Sequence, residues 1–188
     1  MSMFRTQSWL IVLAVVAIAV ASAIFIRPAK DVPTPVNIRT GQLYPEAKSL
    51  EPFALLNHEG ETFSNADLKG MWSFVFFGYT TCPDVCPMTL GEMARLQSTL
   101  PDAIKIDTQF IFVTVDPERD TVQQLAQYMP FFNADLIGLT GSENTTADFA
   151  RQLGVAFAKI PQEHGSYLMD HSVRVFLLNP EGERYALF

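Results

Sequence analysis

Uninterrupted apolar runs predict the buried strands of this chain. Trp72–Tyr79 reads WSFVFFGY and Phe110–Val115 reads FIFVTV. Runs of this length and composition are typical of strands that are covered on both faces of a sheet. A third run, Val173–Leu178, is followed by the turn NPEG and by a further apolar stretch, Arg184–Phe188, so it predicts two more strands joined as a hairpin.

Helical spacing of apolar residues separates these strands. The predicted helices cover Met88–Leu100, Thr121–Met129 and Glu143–Leu153, and the last is followed by Gly154. A short hairpin turning at Glu59-Gly60 and a capped turn at Ser64–Leu68 precede the first buried strand.

Strands that alternate with helices predict an α/β sheet covered on both sides. In such sheets the functional residues collect in loops at the carboxyl ends of the strands. The loop TTCPDVC follows the first buried strand, and the loop DPERD follows the second. If the two strands are parallel neighbours, both loops lie at the same edge.

The longest apolar run lies near the N-terminus. Trp9–Ile26 contains eighteen residues without a charge or a proline, which is enough for a transmembrane helix at the lower limit of length. A cleaved signal peptide is the alternative, because Ala21-Ser22-Ala23 has the small residues of a cleavage site. We favour an uncleaved anchor, since apolar residues continue to Ile26. Both interpretations export the rest of the chain.

The pattern divides the chain into four parts. Residues 1–8 are a short tail, 9–26 the anchor, 27–50 a tether with four prolines, and 51–188 the folded domain. From Asn37 to Phe188 there are ten Lys and Arg and nineteen Asp and Glu, a net of −9. This charge argues against binding to nucleic acid or to an anionic membrane surface, and it suits a cationic partner or a metal cation.

The only two cysteines, Cys82 and Cys86, lie in the loop after the first buried strand. A structural disulfide is the least favoured interpretation, because so small a loop gains little stability. A redox dithiol fits a site at a helix N-terminus, where the dipole favours a thiolate. A metal site fits as well, since residues four apart in a helical turn share a face and soft thiolates select copper(I), zinc or iron–sulfur clusters. Two sulfurs and one imidazole would suffice for copper(I).

Three histidines could supply that imidazole. His58 lies in a hairpin turn and His164 in a polar loop, so we expect both to be solvated loop residues. His171 lies directly before a buried strand. Its position alone favours a metal ligand and a hydrogen-bonded strand end equally.

The order of the motifs resembles the Sco/SenC family of copper-binding proteins. TTCPDVCP before a helix, then TVDPERDT, GLTG and YLMDHSVRVFLLNPEG, match that family over roughly Phe53–Gly182. The resemblance implies a thioredoxin-like fold with insertions, here preceded by one N-terminal transmembrane helix. It also implies that Cys82, Cys86 and His171 bind one copper ion, as Cu(I), Cu(II) or both.

The resemblance further implies a role in assembling the CuA site of cytochrome c oxidase subunit II. A single-pass protein of the bacterial inner membrane is expected, with its C-terminal domain in the periplasm. Its other partners there would be copper carriers or thiol–disulfide oxidoreductases. Members of the family usually continue past the NPEG turn with a final strand and helix, so we expect the C-terminus at Phe188 to be truncated.

We therefore predict a copper chaperone rather than an enzyme with turnover, and no catalytic residues. The rival is a thiol–disulfide reductase that acts on cysteines of an oxidase subunit, with Cys82 and Cys86 as its redox pair. A peroxiredoxin-like peroxidase fits poorly, because no threonine and arginine set surrounds a single cysteine.

Two acidic residues in the loops are further candidates. Asp84, between the cysteines, could supplement a copper(II) site. We favour the alternative that it is an acidic residue at the start of the helix, where the helix dipole stabilises a negative charge. Asp116 opens the DPERDT motif. Two roles are equally favoured for it: it caps the following helix, or it supports the metal ligands or docks a partner.

Overall fold

The chain forms a mixed α/β fold in the computed structural model, which describes residues 37–38, 41–132 and 135–188. The predicted transmembrane segment, residues 9–26, lies outside the described residues. Among the helices within the described ranges, none has the length and hydropathy needed to cross a membrane.

The strands follow the predicted apolar runs closely and add several that the sequence analysis did not include. Their bounds are β1 (Asn37–Ile38), β2 (Gly41–Ser49), β3 (Ala54–Asn57), β4 (Thr62–Ser64), β5 (Trp72–Gly78), β6 (Thr108–Thr114), β7 (Leu136–Thr140), β8 (Phe157–Pro161), β9 (Tyr167–His171), β10 (Val175–Leu178) and β11 (Glu183–Leu187).

The helices are α1 (Val85–Thr99), α2 (Asp102–Lys105), α3 (Val122–Tyr128) and α4 (Glu143–Leu153), with short 3₁₀ turns at Asn65–Leu68, Met129–Phe131 and Glu163–Gly165. Helix α4 matches its predicted bounds, because Ser142 caps its start and Gly154 adopts a positive φ of 76° at its end. Helix α1 begins three residues earlier than predicted, since a proline such as Pro87 is tolerated in the first turn.

One sheet of nine strands in the described residues has the order β1-β2-β11-β10-β5-β6-β7-β3-β4. Its centre is parallel: β5 pairs with β6, and β6 pairs with β7. The strands added on either side are antiparallel. The first two buried strands are thus parallel neighbours, which is the condition for the cysteine loop and the DPERD loop to lie at the same edge.

Alternation along β5 assigns its residues to two covered faces. Phe77 contacts Phe149 of α4, with ring centroids 5.8 Å apart. Gly78, one residue further and so on the opposite face, lies against Cys86 of α1. Helices thus cover both sides of the sheet, as predicted, and the cysteines lie on the α1 side.

Two regions differ from the sequence-based expectation. Residues 41–49, predicted as part of the tether before a domain starting at 51, form β2 and pair with β11. Strand β2 is mostly exposed and has no apolar alternation, and a register shift spans the stretch that contains Pro45. Strands β8 and β9, which the hydrophobic pattern did not predict, flank the polar loop that contains His164 and form a separate two-stranded hairpin.

Candidate metal centre

The cysteine loop connects the end of β5 to the start of α1. Cys82 lies in a turn in which its backbone N–H donates to the Tyr79 carbonyl at 3.2 Å. Cys86 is the second residue of α1 and is completely buried, whereas Cys82 is 9% exposed. Both thiols are free. One sulfur therefore faces the interior and the other approaches the surface.

His171 approaches the cysteines from the end of β9. Its Nε2 lies 3.5 Å from the Cys86 sulfur, and its Nδ1 lies 3.2 Å from the Ser172 carbonyl. A carbonyl oxygen only accepts hydrogen bonds, so Nδ1 carries the ring proton and donates a hydrogen bond to the Ser172 carbonyl. This tautomer leaves the lone pair of Nε2 directed at the sulfurs, which is the usual arrangement behind a metal-binding imidazole.

The ligand atoms of Cys82, Cys86 and His171 all lie within 4.8 Å of one another. Metal–sulfur bonds of about 2.3 Å and metal–nitrogen bonds of about 2.0 Å, spread evenly around one ion, place three ligand atoms roughly 3.7–4.0 Å apart. The most widely separated atoms of this group therefore need to close by less than about 1.1 Å to share an ion. Two soft sulfurs and one imidazole fit copper, and they are too few for a structural zinc site.

The two thiols have opposite pKa shifts. Burial raises the pKa of Cys86 strongly, and the neighbouring Cys82 adds to the effect. Burial also raises the pKa of Cys82, but hydrogen bonds from the backbone N–H groups of Asp84 and Cys86 outweigh it, and the net shift is downward. Without a metal, Cys82 is the sulfur that ionises first.

Burial also lowers the pKa of His171, and its hydrogen bond to Ser172 opposes this only in part. The imidazole is therefore neutral at neutral pH. Its ring packs edge-on against Tyr79, with centroids 5.9 Å apart, and against Phe76 at 6.2 Å. These contacts fix the ring plane, and the hydrogen bond to Ser172 fixes the tautomer.

Gly78 allows Cys86 to approach the sheet. A Cβ atom at this position would lie 2.8 Å from the Cys86 sulfur and 2.9 Å from the Phe112 ring. Both distances are shorter than side chains tolerate, so a glycine is required where β5 passes beneath the metal centre.

Asp120 is a site residue that sequence reasoning missed. Its carboxylate is fully buried and accepts hydrogen bonds from the Thr80 N–H at 2.9 Å, the Thr80 hydroxyl at 2.6 Å and the Thr114 hydroxyl at 2.7 Å. Burial raises its pKa despite these bonds. Asp120 therefore holds the start of the cysteine loop against β6. The only available signal was its place in the DPERDT motif.

The two acidic candidates occupy different environments. Asp84 is the exposed N-cap residue of α1, and its side chain makes no capping hydrogen bond. Asp116 is 1% exposed, forms an ion pair with Arg119, and accepts a hydrogen bond from the Tyr167 hydroxyl at 2.9 Å. The structure thus places the Asp116 carboxylate inside the protein, bound to two neighbours.

The other two histidines lie apart from the cysteines. His58 is half-buried, and its Nδ1 accepts a hydrogen bond from the Gly138 N–H at 3.1 Å, so it joins the first hairpin to β7 instead of facing only solvent. His164 is exposed in a turn with a positive φ of 60°. Among the described residues, the metal-binding group contains His171 and neither of these.

The fold and this site define a thioredoxin-type α/β protein with a Cys-Cys-His candidate metal centre at the carboxyl edge of its parallel strands. The profile of the SCO1/SenC family matches residues 42–188. The chain belongs to this family.

The chain matches its curated relatives over only part of their length. A protein from Stutzerimonas stutzeri, provisionally described as copper-binding, is 38% identical over 140 residues, which cover 74% of this chain and 69% of that protein. The mitochondrial SCO2 homologue of Mus musculus is 39% identical over 148 residues, covering 77% of this chain and 57% of that protein.

Solved structures of the same fold include copper-bound proteins. ScoI of Bradyrhizobium japonicum with copper bound has a TM-score of 0.71 and 34% identity, covering 74% of this chain and 88% of its own. Copper-bound ScoI of Arabidopsis thaliana has a TM-score of 0.69 and 37% identity, covering 73% and 86%. A structure described as showing a disulfide switch in a member of the Sco family of cytochrome c oxidase assembly proteins has a TM-score of 0.60 and 29% identity, covering 76% and 83%.

Proposed function

We propose that this protein is a copper chaperone that carries one copper ion on Cys82, Cys86 and His171. The observation that carries the proposal is the convergence of the three ligand atoms within 4.8 Å, on elements separated by some 85 residues of sequence. The copper-bound structures of similar proteins support copper as the metal.

The donor set suits both oxidation states in different ways. Two thiolates supply the soft ligands that copper(I) prefers, and that ion accepts as few as two. Copper(II) prefers nitrogen donors and a higher coordination number, so it depends more on His171. Because His171 is neutral at neutral pH, no proton has to leave it before it binds.

The destination of the copper in this proposal is the CuA site of cytochrome c oxidase subunit II. The Sco family's link to oxidase assembly supports it. We further propose that the apolar segment Trp9–Ile26 anchors the protein in the inner membrane, with the metal centre on the periplasmic side. Asp84 and Asp116 are the two candidates for additional roles in copper binding or partner docking. Asp84 is exposed between the cysteines, and Asp116 is buried and bound to Arg119 and Tyr167.

Copper uptake by the reduced chain, measured by metal analysis and chelator competition, tests the proposal. Cys82→Ser and Cys86→Ser should each abolish tight binding. His171→Ala should lose copper(II) preferentially and retain part of the copper(I) binding. His164→Asn is the control, since asparagine tolerates a positive φ, and it should bind like the parent. Normal binding of both oxidation states by His171→Ala would contradict the assignment.

A thiol–disulfide reductase is the second candidate, and the opposite pKa shifts of the two cysteines favour it. The Cys82 thiolate would attack a disulfide of the target, and Cys86 would then displace the target's sulfur. The target gains two electrons and two protons, and the chain is left with a Cys82–Cys86 disulfide. Reductase activity would survive in His171→Ala, whereas copper transfer would not.

The two candidates share their sulfurs, so oxidation and copper binding should exclude one another. The disulfide removes both thiolates from the metal centre. Equal copper uptake by the oxidised and the reduced chain would contradict the ligand assignment.

A further inference from the structure

His171 lies on an element that is not part of the main sheet. Strands β8 and β9 pair only with each other within the described residues, and together with their turn they form what we call the histidine arm, Phe157–His171. Alternation along β9 leaves Leu168 and Asp170 exposed and turns Tyr167, Met169 and His171 towards the protein. The position of the third ligand therefore depends on what holds this arm.

The loop that holds the arm is residues 116–120, between β6 and α3. Tyr167 is attached to it twice: its hydroxyl donates to Asp116 Oδ1 at 2.9 Å, and its carbonyl accepts from Arg119 Nη1 at 3.0 Å. On the other strand of the arm, Lys159 Nζ lies 2.5 Å from Glu118 Oε2. Both strands of the arm are thus bound to the same five residues.

Arg119 occupies the centre of these contacts. Its guanidinium carbon lies 3.8 Å from the centroid of the Tyr167 ring and 5.7 Å from that of Tyr79. Its Nε donates to the buried Asp116 carboxylate. The Tyr79 ring in turn packs edge-on against His171. A continuous packed series therefore leads from Arg119 to the imidazole.

The same loop also holds the cysteines. Asp120 accepts hydrogen bonds from both the backbone N–H and the hydroxyl of Thr80, two residues before Cys82. Residues 116–120 are consequently attached to the cysteine loop at one end and to the histidine arm at the other. The loop sets the distance between the two sulfurs and the imidazole.

We propose that Arg119 is a positioning residue that fixes the histidine arm and so keeps His171 within reach of the copper held by Cys82 and Cys86. This inference rests on the proposed copper site. Arginine suits the role because its planar guanidinium stacks on aromatic rings while donating to a carbonyl and a carboxylate at once. A lysine at this position would lack the planar face, and all its N–H donors would lie on one nitrogen.

The test uses the full chain, reduced, with Arg119→Met, which retains an apolar stem and removes the donors. Copper(II) affinity should fall by about 10- to 100-fold, the usual range for residues that orient a metal ligand. In the His171→Ala background the same change should cause no further loss, because the ligand that Arg119 positions is gone. Arg151→Met is the matched control, since Arg151 also pairs with an aspartate three residues before it, on the exposed face of α4.

A metal-free measurement separates this inference from the proposed function. In hydrogen–deuterium exchange of the apo chain, amides of β8 and β9 should exchange faster in Arg119→Met than in the parent, while those of β5 and β10 should not change. If Arg119→Met lowers copper(II) affinity equally with and without His171, Arg119 does not act through His171 and the inference fails. Unchanged affinity or unchanged exchange in the arm overturns it as well. If the parent binds no copper, the proposed function fails and the exchange result alone decides whether Arg119 fixes the arm.

Discussion

The thiols of Cys82 and Cys86 differ at the residue scale, although only three residues separate them. Reduced, metal-free chain treated with iodoacetamide should be alkylated first at Cys82, and peptide mapping by mass spectrometry would show it. A thiolate is the reactive form, and its fraction rises as the pH passes the pKa. Because the pKa of Cys82 is lowered, its rate should level off at a lower pH than that of a free thiol, ordinarily about 8.5.

Cys86 should remain largely unmodified under the same conditions, since burial raises its pKa and blocks access. In the urea-unfolded chain the two cysteines should react alike, which serves as the control. Equal rates in the folded chain would show that the surroundings of the two sulfurs do not differ as the structure indicates.

Asp120 gives a second residue-scale prediction, which concerns stability and pH. Asp120→Ala should lower the free energy of unfolding by about 1–3 kcal/mol, because it leaves the Thr80 N–H without its acceptor. The neutral Asp120→Asn should lose less. Burial raises the pKa of Asp120 in the folded state, so the folded carboxyl keeps its proton where the unfolded one has lost it.

This difference in proton binding makes the stability contribution of Asp120 decrease as the pH rises above about 4, the ordinary value for an aspartate. Asp120→Asn lacks that dependence. The stability gap between Asp120→Asn and the parent should therefore narrow between pH 4 and 7 in urea unfolding. A gap that widens with pH would mean that the folded state prefers the charged carboxylate.

Some site residues could be predicted from the sequence because their residue type indicates their chemistry, whereas others could not because their role depends on distant contacts. The cysteines and His171 carry their chemistry in their residue type, and the spacing of the cysteines limits what they can do. Asp120 and Arg119 owe their roles to contacts with Thr80 and Tyr167, which lie 40 and 48 residues away in sequence. Their place in the DPERDT motif is the only signal that the sequence offers, and it does not indicate these contacts.

Elements were predictable where burial imposes a pattern on the sequence. Strands β5 and β6 are covered on both faces and contain the continuous apolar runs Phe74–Phe77 and Phe110–Val113, so they are easily recognised in the sequence. Strands β2 and β8 are mostly exposed, and their residues satisfy no hydrophobic period. Backbone hydrogen bonds attach β2 to β11, whereas the side chains of Tyr167, Lys159 and Arg119 attach the histidine arm to the rest of the fold.

The contact between β5 and α1 leads to a prediction at the element scale. Gly78→Ala should lower the free energy of unfolding by about 1–3 kcal/mol, because the new methyl group overlaps the Cys86 sulfur and the Phe112 ring. Copper affinity should fall as well, since the sulfur has to move away from His171. Urea unfolding and chelator competition measure the two effects.

Gly91→Ala is the matched control for Gly78→Ala. It lies on α1, and a Cβ there would meet nothing within 4 Å. Alanine in the middle of a helix is favoured over glycine, so this variant should gain about 0.5–1 kcal/mol and bind copper like the parent. If Gly78→Ala matches Gly91→Ala in both its free energy of unfolding and its copper affinity, the strand does not approach the Cys86 sulfur closely enough for a methyl group to clash.

At the scale of the whole molecule, β2 extends the folded domain towards the N-terminus. It covers the edge of β11, the strand that follows the NPEG turn, through a ladder running from Ser49↔Glu183 to Gln42↔Leu187. The Ser49 hydroxyl donates to Glu183 at 2.9 Å, and the Arg184 guanidinium lies 5.3 Å from the Tyr44 ring. Without β2, one edge of β11 would have unpaired backbone groups.

A chain without residues 1–50 should therefore be less stable than a chain without residues 1–40. Each ladder hydrogen bond contributes about 0.5–1.5 kcal/mol, so we expect a loss of roughly 2–4 kcal/mol in urea unfolding. The exposed strand edge should also promote aggregation, visible by light scattering. Since β11 and β10 separate β2 from β5, the strand that leads into the cysteine loop, copper binding by the folded fraction should be unchanged. Equal stability of the two shortened chains would place the start of the domain at residue 51 after all.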